Sequence, residues 1–252
     1  MPDDGTLSGA SPWRGLGKAV LDLFYPPHCA LCGCGLIPSE QSGVEREKEV
    51  FCPACIAGIP RPPEYRCPVC SHPMQGMMIC PNCENRPWYL EAIVPACRYE
   101  GGVRGMIQHF KYGRDIAMAR PLGVLLERAL TDPRFHGKTF HMVVPVPLHS
   151  VRERERGFNQ AALLADRLSH TMGIPCRSLL RKNRPTPQQA GFDRSRRMEN
   201  LRGAFTPGCA LPSDASVLLV DDVSTTGATL DACAEVLMDA GAAGVCAVVV
   251  AR

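Results

Sequence analysis

Residues 217–230 read Val217-Leu-Leu-Val-Asp221-Asp222-Val-Ser224-Thr225-Thr226-Gly227-Ala228-Thr229-Leu230. The apolar start predicts a buried strand, and the apolar spacing after Gly227 predicts a helix. The loop between them suits a phosphate, because the first N–H groups of a helix lack partners and the helix dipole adds positive charge there. Two carboxylates would repel that phosphate, so we expect Asp221 and Asp222 to bind a sugar diol or a cation. The segment predicts a ribose 5-phosphate site; the simpler alternative is a capped strand-to-helix turn.

This segment resembles the phosphoribosyl pyrophosphate (PRPP) motif of type I phosphoribosyltransferases. The resemblance implies that Asp221 and Asp222 hold the ribose hydroxyls and that Mg²⁺ enters together with PRPP. It also implies a 5-phosphate site in the loop and the first helical turn, formed by Ser224, Thr225, Thr226, Gly227, Ala228 and Thr229. The motif is specific for the bound sugar phosphate and says little about an acceptor.

The length and composition are those of a globular protein. At 252 residues the chain has room for one large domain or two smaller ones, with 21% charged and 45% hydrophobic residues. Residues 245–251, the longest apolar run, are too few to span a membrane, and the acidic N-terminus is not a secretory signal. We therefore expect a cytoplasmic protein that reaches the inner membrane only through partners. A short amphipathic helix is predicted over residues 16–25.

Basic residues concentrate between residues 177 and 202, although the net charge of the whole chain is only +3. The charged residues that follow this segment are nearly all acidic. A basic segment favours a phosphate-rich ligand, either a pyrophosphate or a nucleic acid. The alternative for any single arginine in the segment is a solvated surface position.

Eight of the fourteen cysteines form four Cys-x-x-Cys pairs. Because no secretory signal is found, metal binding is favoured over disulfides, and two such pairs make one closed tetrahedral site for structural zinc. We expect two zinc sites in a double ribbon over residues 25–90, after a separate segment of residues 1–24. Sequential pairing of the knuckles is favoured, and interleaved pairing stays open. The predicted ligands are Cys29, Cys32, Cys52, Cys55, Cys67, Cys70, Cys80 and Cys83.

Three other residues near these pairs are of types that can bind metal but are interpreted as bystanders, namely Cys34, His28 and His72. The ribbon has few apolar residues, so we expect the metal to supply much of its stability. Four thiolates leave no open coordination position, which argues against a catalytic zinc.

Residues 91–252 are predicted to form an α/β domain with a parallel sheet covered by helices on both faces, because apolar strand runs alternate with helical patterns. The predicted strands cover residues 92–99, 141–146, 174–180, 217–221 and 245–251. The predicted helices cover residues 103–112, 115–130 and 158–172, and a last helix runs from the phosphate loop to residue 240. Ligands of such sheets bind at the carboxyl ends of the strands, where Asp221 and Asp222 fall.

Two further loops are predicted to leave the same edge of the sheet. Residues 145–160 and 181–200 both bring arginines and amides toward the predicted phosphate loop. The alternatives are a self-paired charge run for the first loop and a disordered basic linker for the second. If the domain is catalytic, the bond between C1 and pyrophosphate breaks through an oxocarbenium-like transition state, and cations stabilise the leaving group. The candidates for that role are Arg156, Lys182 and Arg184.

The order of these features resembles the ComF family (ComFC or GntX-like proteins) over residues 20–252. The features are the cysteine pairs, Pro145-Val-Pro, Arg156-Gly-Phe-Asn159-Gln160, Arg184-Pro-Thr186-Pro-Gln-Gln189-Ala-Gly, Arg197 with Asn200, and the Asp221-Asp222 loop. The resemblance implies a double zinc ribbon followed by a type I phosphoribosyltransferase fold, with the two basic loops acting as pyrophosphate loop and flexible catalytic loop. It also implies a role in natural transformation, with single-stranded DNA and a helicase-like partner.

The sequence leaves two functions open. In one, the protein binds PRPP without turning it over and belongs to a DNA-handling module. In the other, it transfers the phosphoribosyl group, in nucleotide salvage or metabolism, to an acceptor that the sequence does not identify. Basic loops and zinc ribbons can contact single-stranded DNA through its phosphates, which supports the first reading.

Overall fold

The computed structural model describes residues 27–36, 50–84, 87–185, 201 and 203–252. The chain divides into two compact units, with the boundary between Ile56 and Ala57. The first unit holds the first cysteine group, and the second unit holds both the second cysteine group and the sheet. The helix predicted over residues 16–25 lies outside the described residues, as do residues 186–200 of the second predicted loop.

Four parallel strands form the main sheet within the described part of the chain, in the order β1-β6-β5-β2, and β3 and β4 form an antiparallel pair. The strands are β1 (Ala92–Cys97), β2 (Met142–Pro145), β3 (Leu180–Lys182), β4 (Phe205–Pro207), β5 (Ser216–Val223) and β6 (Gly244–Ala251). In the register of the sheet, Pro145 pairs with Val220, and Asp221 pairs with Val249. The carboxyl ends of β2, β5 and β6 therefore meet at one edge.

The described α-helices are α1 (Pro53–Gly58), α2 (Gly101–Tyr112), α3 (Ala119–Arg128), α4 (Ser150–Arg156), α5 (Gln160–Met172) and α6 (Ala228–Asp239). Short 3-10 helices lie at Ile116–Met118, Ala129–Thr131 and Pro133–Phe135. The sequence pattern explains the longer helices: α5 begins where the Asn159 side chain accepts a hydrogen bond from Ala161 N and ends at Gly173, whose φ is 67°.

Helices cover both faces of the sheet. On one face, α3 packs against β1 and β6, α5 packs against β2 and β5, and the two helices contact each other. On the other face, alternate strand residues such as Ile93, Val217 and Leu219 share a buried core with Leu230 and Leu237 of α6. The predicted α/β class with a parallel sheet is therefore confirmed. None of the helices in the described ranges is both long enough and apolar enough to cross a membrane.

Two local predictions are wrong. Residues 174–179 form no strand; Cys176 makes a single bridge to Val143, and the strand begins only at Leu180, where it pairs antiparallel with Pro207. Pro175 limits the pairing, because proline has no N–H to donate. The charge run of the first predicted loop is in part a helix, α4, since alternating arginine and glutamate are good helix formers and Gly157, with φ 88°, ends it.

The second cysteine group lies in the same compact unit as the sheet. Ile93 N donates to Val69 O at 2.6 Å, and the Ser71 hydroxyl donates to Ile93 O at 2.6 Å. Farther along the chain, the buried Asp231 of α6 accepts a hydrogen bond from Tyr89 N at 2.9 Å. These bonds tie the knuckle and the linker after it to β1 and α6. The domain boundary predicted at residue 90 stays a prediction.

Candidate functional site

The two aspartates lie where β5 ends, at the carboxyl edge of the sheet. Asp222 N donates a hydrogen bond to Asp221 Oδ1 at 2.9 Å, which fixes the first carboxylate beside its own backbone. Lys111, near the end of α2, lies 2.7 Å from Asp222 Oδ1 through its Nζ atom. Lys111 was not predicted from the sequence, although it follows the buried Ile107 by one helical turn and so lies beside the apolar face of α2.

The charges of this group are strongly coupled. Asp221 opens partly to the cleft, but its carboxyl group is surrounded by protein, and this desolvation, together with the charge of Asp222, raises the pKa of Asp221 to about 7. Burial alone would lower the pKa of Lys111, but the Asp222 carboxylate outweighs burial and raises it. Lys111 and Asp222 therefore form an ion pair, and Asp221 is the carboxyl group available to a ligand.

A cleft of about 150 Å³ opens beside the aspartates. It is lined by residues from six segments of the chain, including Lys111, Arg152, Arg156, Gln160, Lys182, Asp221, Asp222 and Thr229. Burial lowers the pKa of the Lys182 ammonium, whose Nζ atom lies 5.3 Å from the centre of the Phe205 ring. A small cleft lined by both cations and carboxylates suits a ligand that carries both anionic groups and hydroxyls.

Gln160, which also lines this cleft, has a polar group without a hydrogen-bond partner within the described part of the chain. Its Oε1 atom accepts a hydrogen bond from Arg156 Nη1 at 3.0 Å. Its Nε2 atom is buried and has no hydrogen-bond partner among the residues that the structure describes. Since a buried donor without a partner is costly, a ligand oxygen at this position would satisfy it.

The phosphate loop predicted from the sequence joins β5 to α6. Ser224 N donates to Ala251 O at 3.0 Å, and the Thr226 hydroxyl accepts from Ala228 N at 3.3 Å. Gly227 has a φ of 80° and directly precedes the first helical residue. Thr229 faces the cleft of the aspartates, whereas Ser224 and Thr225 line a different cavity.

That second cavity, of about 360 Å³, lies between the phosphate loop and the second cysteine group. Its walls include His72, Pro95 and Tyr99, and the Arg252 guanidinium closes one side. Arg252 Nη1 donates to Ser224 Oγ at 3.4 Å, and its Nη2 atom lies 3.9 Å from Cys70 Sγ. Burial lowers the pKa of this guanidinium, and the neighbouring cysteines act in the opposite direction.

A third cavity, of about 410 Å³, adjoins the aspartate cleft on its basic side. The two share Lys111, Arg152 and Arg156, and the outer cavity adds Tyr112 and Arg114. The Arg156 guanidinium lies 5.6 Å from the centre of the Tyr112 ring, a cation–π contact. Arg114 Nη2 donates to Glu155 O at 2.6 Å. An exposed aromatic ring among arginines is a surface that nucleic acids can use.

The second cysteine group has the composition of a structural zinc site. The sulfur atoms of Cys67, Cys70, Cys80 and Cys83 all lie within 4.8 Å of one another. Cys67 Sγ and Cys83 Sγ are 3.5 Å apart, and Cys70 Sγ and Cys80 Sγ are 3.6 Å apart. Four thiols at these distances fit one tetrahedral zinc ion, and they come from the two knuckles that sequential pairing joins.

The first cysteine group differs from the predicted set. The sulfurs that lie within 4.8 Å of one another here belong to Cys29, Cys32, Cys34 and Cys52. Cys55 contacts the thiols of three of these residues, Cys32, Cys52 and Cys29, but does not belong to that set. The interpretation of Cys34 as a bystander does not match this geometry, since its sulfur is one of the four.

Of the eleven residues predicted for the PRPP site, the structure brings five together. Asp221, Asp222, Thr229, Arg156 and Lys182 line one cleft. Arg184 is exposed and does not line it. Arg152 also lines this cleft. It had no separate role in the prediction, because nothing in a charge run marks which arginine of the helix faces a cleft.

Two parts of the chain match known families. Residues 20–84 match the double zinc ribbon domain, and residues 155–252 match the phosphoribosyl transferase domain. The fold and the cysteine groups therefore define the class: a double zinc ribbon joined to a phosphoribosyltransferase domain.

The alignments with three related proteins cover most of the chain. Competence protein F of Haemophilus influenzae is 33% identical over 167 residues, which are 64% of this chain and 73% of the relative. DNA utilization protein YhgH of Salmonella typhimurium is 31% identical over 233 residues, 88% of this chain and 96% of the relative. Competence protein ComFC of Bacillus subtilis is 27% identical over 205 residues, 77% and 80% of the two chains. The chain belongs to the ComF family, as its motifs predicted.

Proposed function

We propose that this protein binds PRPP together with Mg²⁺ in the cleft beside Asp221 and Asp222. The observation that carries the proposal is that two carboxylates and Thr229 line one small cleft together with the cations Lys182, Arg152 and Arg156. A sugar that bears hydroxyls, a 5-phosphate and a pyrophosphate needs both kinds of surface within about one nanometre.

Each group in the cleft has a role in this proposal. Asp221 accepts hydrogen bonds from the ribose hydroxyls, while Lys111 holds Asp222 in place. The phosphate loop and the start of α6 bind the 5-phosphate through N–H groups and hydroxyls. Arg156 and Gln160 hold the pyrophosphate, since the free Nε2 donor of Gln160 gains an acceptor there. Bound Mg²⁺ supplies charge neutralisation at the pyrophosphate, and the acidic residues beside the cleft suit that ion.

A direct test compares two ligands by calorimetric titration of the full chain in the presence of Mg²⁺. PRPP should bind more tightly than ribose 5-phosphate, because only PRPP carries the pyrophosphate that the cations of the cleft would bind. Gln160→Ala should weaken PRPP binding more than ribose 5-phosphate binding. Equal affinity for the two ligands, in wild type and variant, would contradict the proposal.

Transfer of the phosphoribosyl group is a second candidate function, favoured by the cavity beside Ser224 and Thr225. This cavity has room for an acceptor, and Tyr99 and Pro95 give it an apolar wall. In the reaction, the C1–oxygen bond to pyrophosphate breaks with its electrons going to the leaving group, and an acceptor nitrogen or oxygen forms the new bond to C1. Lys182 and Arg156 stabilise the charge that gathers on the pyrophosphate. Release of pyrophosphate from PRPP on addition of an acceptor is the measurement that separates transfer from binding alone.

We also propose that the protein handles single-stranded DNA in natural transformation, with a helicase-like partner that brings it to the inner membrane. Two relatives carry the word competence in their names, and a third is named for DNA utilization. The basic cavity next to the PRPP cleft supports a DNA contact, because Tyr112 is 63% exposed and lies among arginines.

The DNA proposal is tested with residues that belong to the outer cavity alone. Tyr112→Ala and Arg114→Ala should weaken binding of a labelled oligonucleotide, and Arg114→Ala should also reduce its salt dependence. Arg61→Ala, an exposed arginine outside both the cavity and the basic segment, is the matched control and should have no such effect. Unchanged affinity in both cavity variants would contradict this contact.

A further inference from the structure

The first cysteine group holds five thiols around one metal position, one more than zinc uses. The sulfurs of Cys29, Cys32, Cys34 and Cys52 lie within 4.8 Å of one another. The Cys55 thiol contacts those of Cys32, Cys52 and Cys29 as well. Zinc in structural sites is bound by four ligands, so this group offers two candidates, Cys34 and Cys55, for one coordination position.

The two cysteine groups are built on the same knuckle, which shows how Cys34 comes to its place. In the first knuckle, Cys29 N donates to Cys34 O at 2.8 Å and Gly33 N donates to Cys29 O at 2.8 Å. In the second, Cys67 N donates to His72 O at 2.8 Å and Ser71 N donates to Cys67 O at 3.0 Å. Gly33 and Ser71 both have positive φ, 72° and 60°. Cys34 therefore occupies the position that His72 has in the second knuckle.

The second halves of the two groups also correspond. Ile56 N donates to Cys52 O, and Glu84 N donates to Cys80 O, each at 2.9 Å. Cys55 thus corresponds to Cys83, whose sulfur completes the second group. By this internal comparison Cys55 is the fourth ligand of the first group, whereas Cys34 is the fourth member of the set whose sulfurs lie within 4.8 Å of one another. The two observations agree if either thiol can take the position.

We propose that Cys34 and Cys55 are exchangeable fourth ligands of the first zinc site, with Cys29, Cys32 and Cys52 as its fixed ligands. The site then keeps four thiolates when either of the two is lost or modified. Cys34 is exposed, so it is the one that a reagent in solution reaches. In the second group His72 has the corresponding position and lies outside the set of four metal-binding atoms. This inference concerns the first cysteine group alone and does not rest on PRPP binding.

The test measures zinc release from the full chain to a chromogenic chelator. Cys34→Ser and Cys55→Ser should each release zinc as slowly as the wild type, while the double variant should release one of two equivalents in a new fast phase. Cys52→Ser, which removes a fixed ligand, calibrates the amplitude of that phase. Cys209→Ser removes an exposed thiol outside both groups and should change nothing.

Two results would overturn the proposal. A fast phase of one equivalent in either single variant would mean that this cysteine is a required ligand and cannot be replaced by the other. Slow release of both equivalents from the double variant would mean that neither thiol is needed. The readout is metal retention, so failure of PRPP binding or of any transfer reaction leaves the result unaffected.

Discussion

Gly227 stands where the phosphate loop turns into α6, and two separate constraints exclude a side chain there. Its φ of 80° is in the left-handed region, and a Cβ atom would lie 2.7 Å from Ile93 Cδ1 and 2.9 Å from Trp88 Cη2. Both neighbours belong to the packed core of the sheet unit, so they cannot move aside freely. The loop is therefore held by packing as well as by its backbone conformation.

Gly227→Ala should lower the stability of the protein by about 1–3 kcal/mol through overpacking and should also weaken PRPP binding. Gly137 offers a matched control, because its φ is 74° but a Cβ there would meet nothing within 4 Å. Gly137→Ala reports the cost of the backbone conformation alone. Thermal or denaturant unfolding of both variants gives the comparison; equal losses would show that the contacts with Ile93 and Trp88 do not matter.

Asp221 gives a prediction for the dependence of stability on pH. The pKa of Asp221 is raised from 3.8 to about 7, so the folded protein binds more protons than the unfolded chain between these values. The protonated Asp221 carboxyl group therefore favours the folded state, and the free energy of unfolding that it contributes is lost as the pH rises toward 7. Asp221→Asn removes this term, so the variant should gain stability relative to wild type on going from pH 6 to pH 8, measured as melting temperatures without added Mg²⁺. Asp214→Asn, an exposed carboxylate, should show no such gain.

At the scale of the elements, the sequence predicted what depends on local pattern. The apolar runs of β1, β2, β5 and β6 and the helical spacing of α2 and α5 are local, and the structure confirms them. The pair of β3 and β4 could not be predicted, because each strand has three residues and depends on a partner more than 20 residues away. The ion pair of Lys111 with Asp222 was missed for the same reason, since it joins the end of α2 to the end of β5.

Outside the cleft, Asp231 joins α6 to the segment that precedes β1. It is buried on α6 and accepts hydrogen bonds from Tyr89 N at 2.9 Å and Leu90 N at 3.3 Å. The carboxylate thereby fixes the chain that leads from the second cysteine group into β1. Asp231→Ala should destabilise the protein by about 1–3 kcal/mol, because the buried Leu90 N–H and the partly buried Tyr89 N–H lose their acceptor. Asp239→Ala, at the exposed end of the same helix, should change stability by less than about 0.5 kcal/mol in unfolding experiments.

At the scale of the molecule, the second cysteine group is part of the sheet unit. Cys67, Cys70 and Cys80 belong to the same buried core as Ile93 and Leu219. From the sequence, metal is expected to stabilise the ribbon over residues 25–90. The packing extends that expectation to residues beyond the ribbon, because loss of the second zinc would open the core that the strands share.

Cys70→Ser should therefore release one zinc and lower the melting temperature of the sheet unit by about 10 °C, equivalent to a loss of about 3–4 kcal/mol. Cys209→Ser, an exposed cysteine of the same unit outside the cysteine groups, should leave the melting temperature unchanged. Unfolding followed by circular dichroism together with zinc analysis gives both quantities. Loss of zinc with no change in the melting temperature would separate the knuckle from the sheet.

The central claim about the whole protein is that PRPP binds with Mg²⁺ in the cleft at Asp221. Calorimetric titration with PRPP and Mg²⁺ tests it most directly. Asp221→Asn is the variant to compare, because it removes the free carboxylate and leaves the pair of Lys111 and Asp222 intact. We predict saturable binding of one PRPP by the wild type and at least about tenfold weaker binding by the variant, as expected for lost hydrogen bonds to a charged group. No binding by the folded wild-type protein, or equal affinity in the two proteins, would contradict the account.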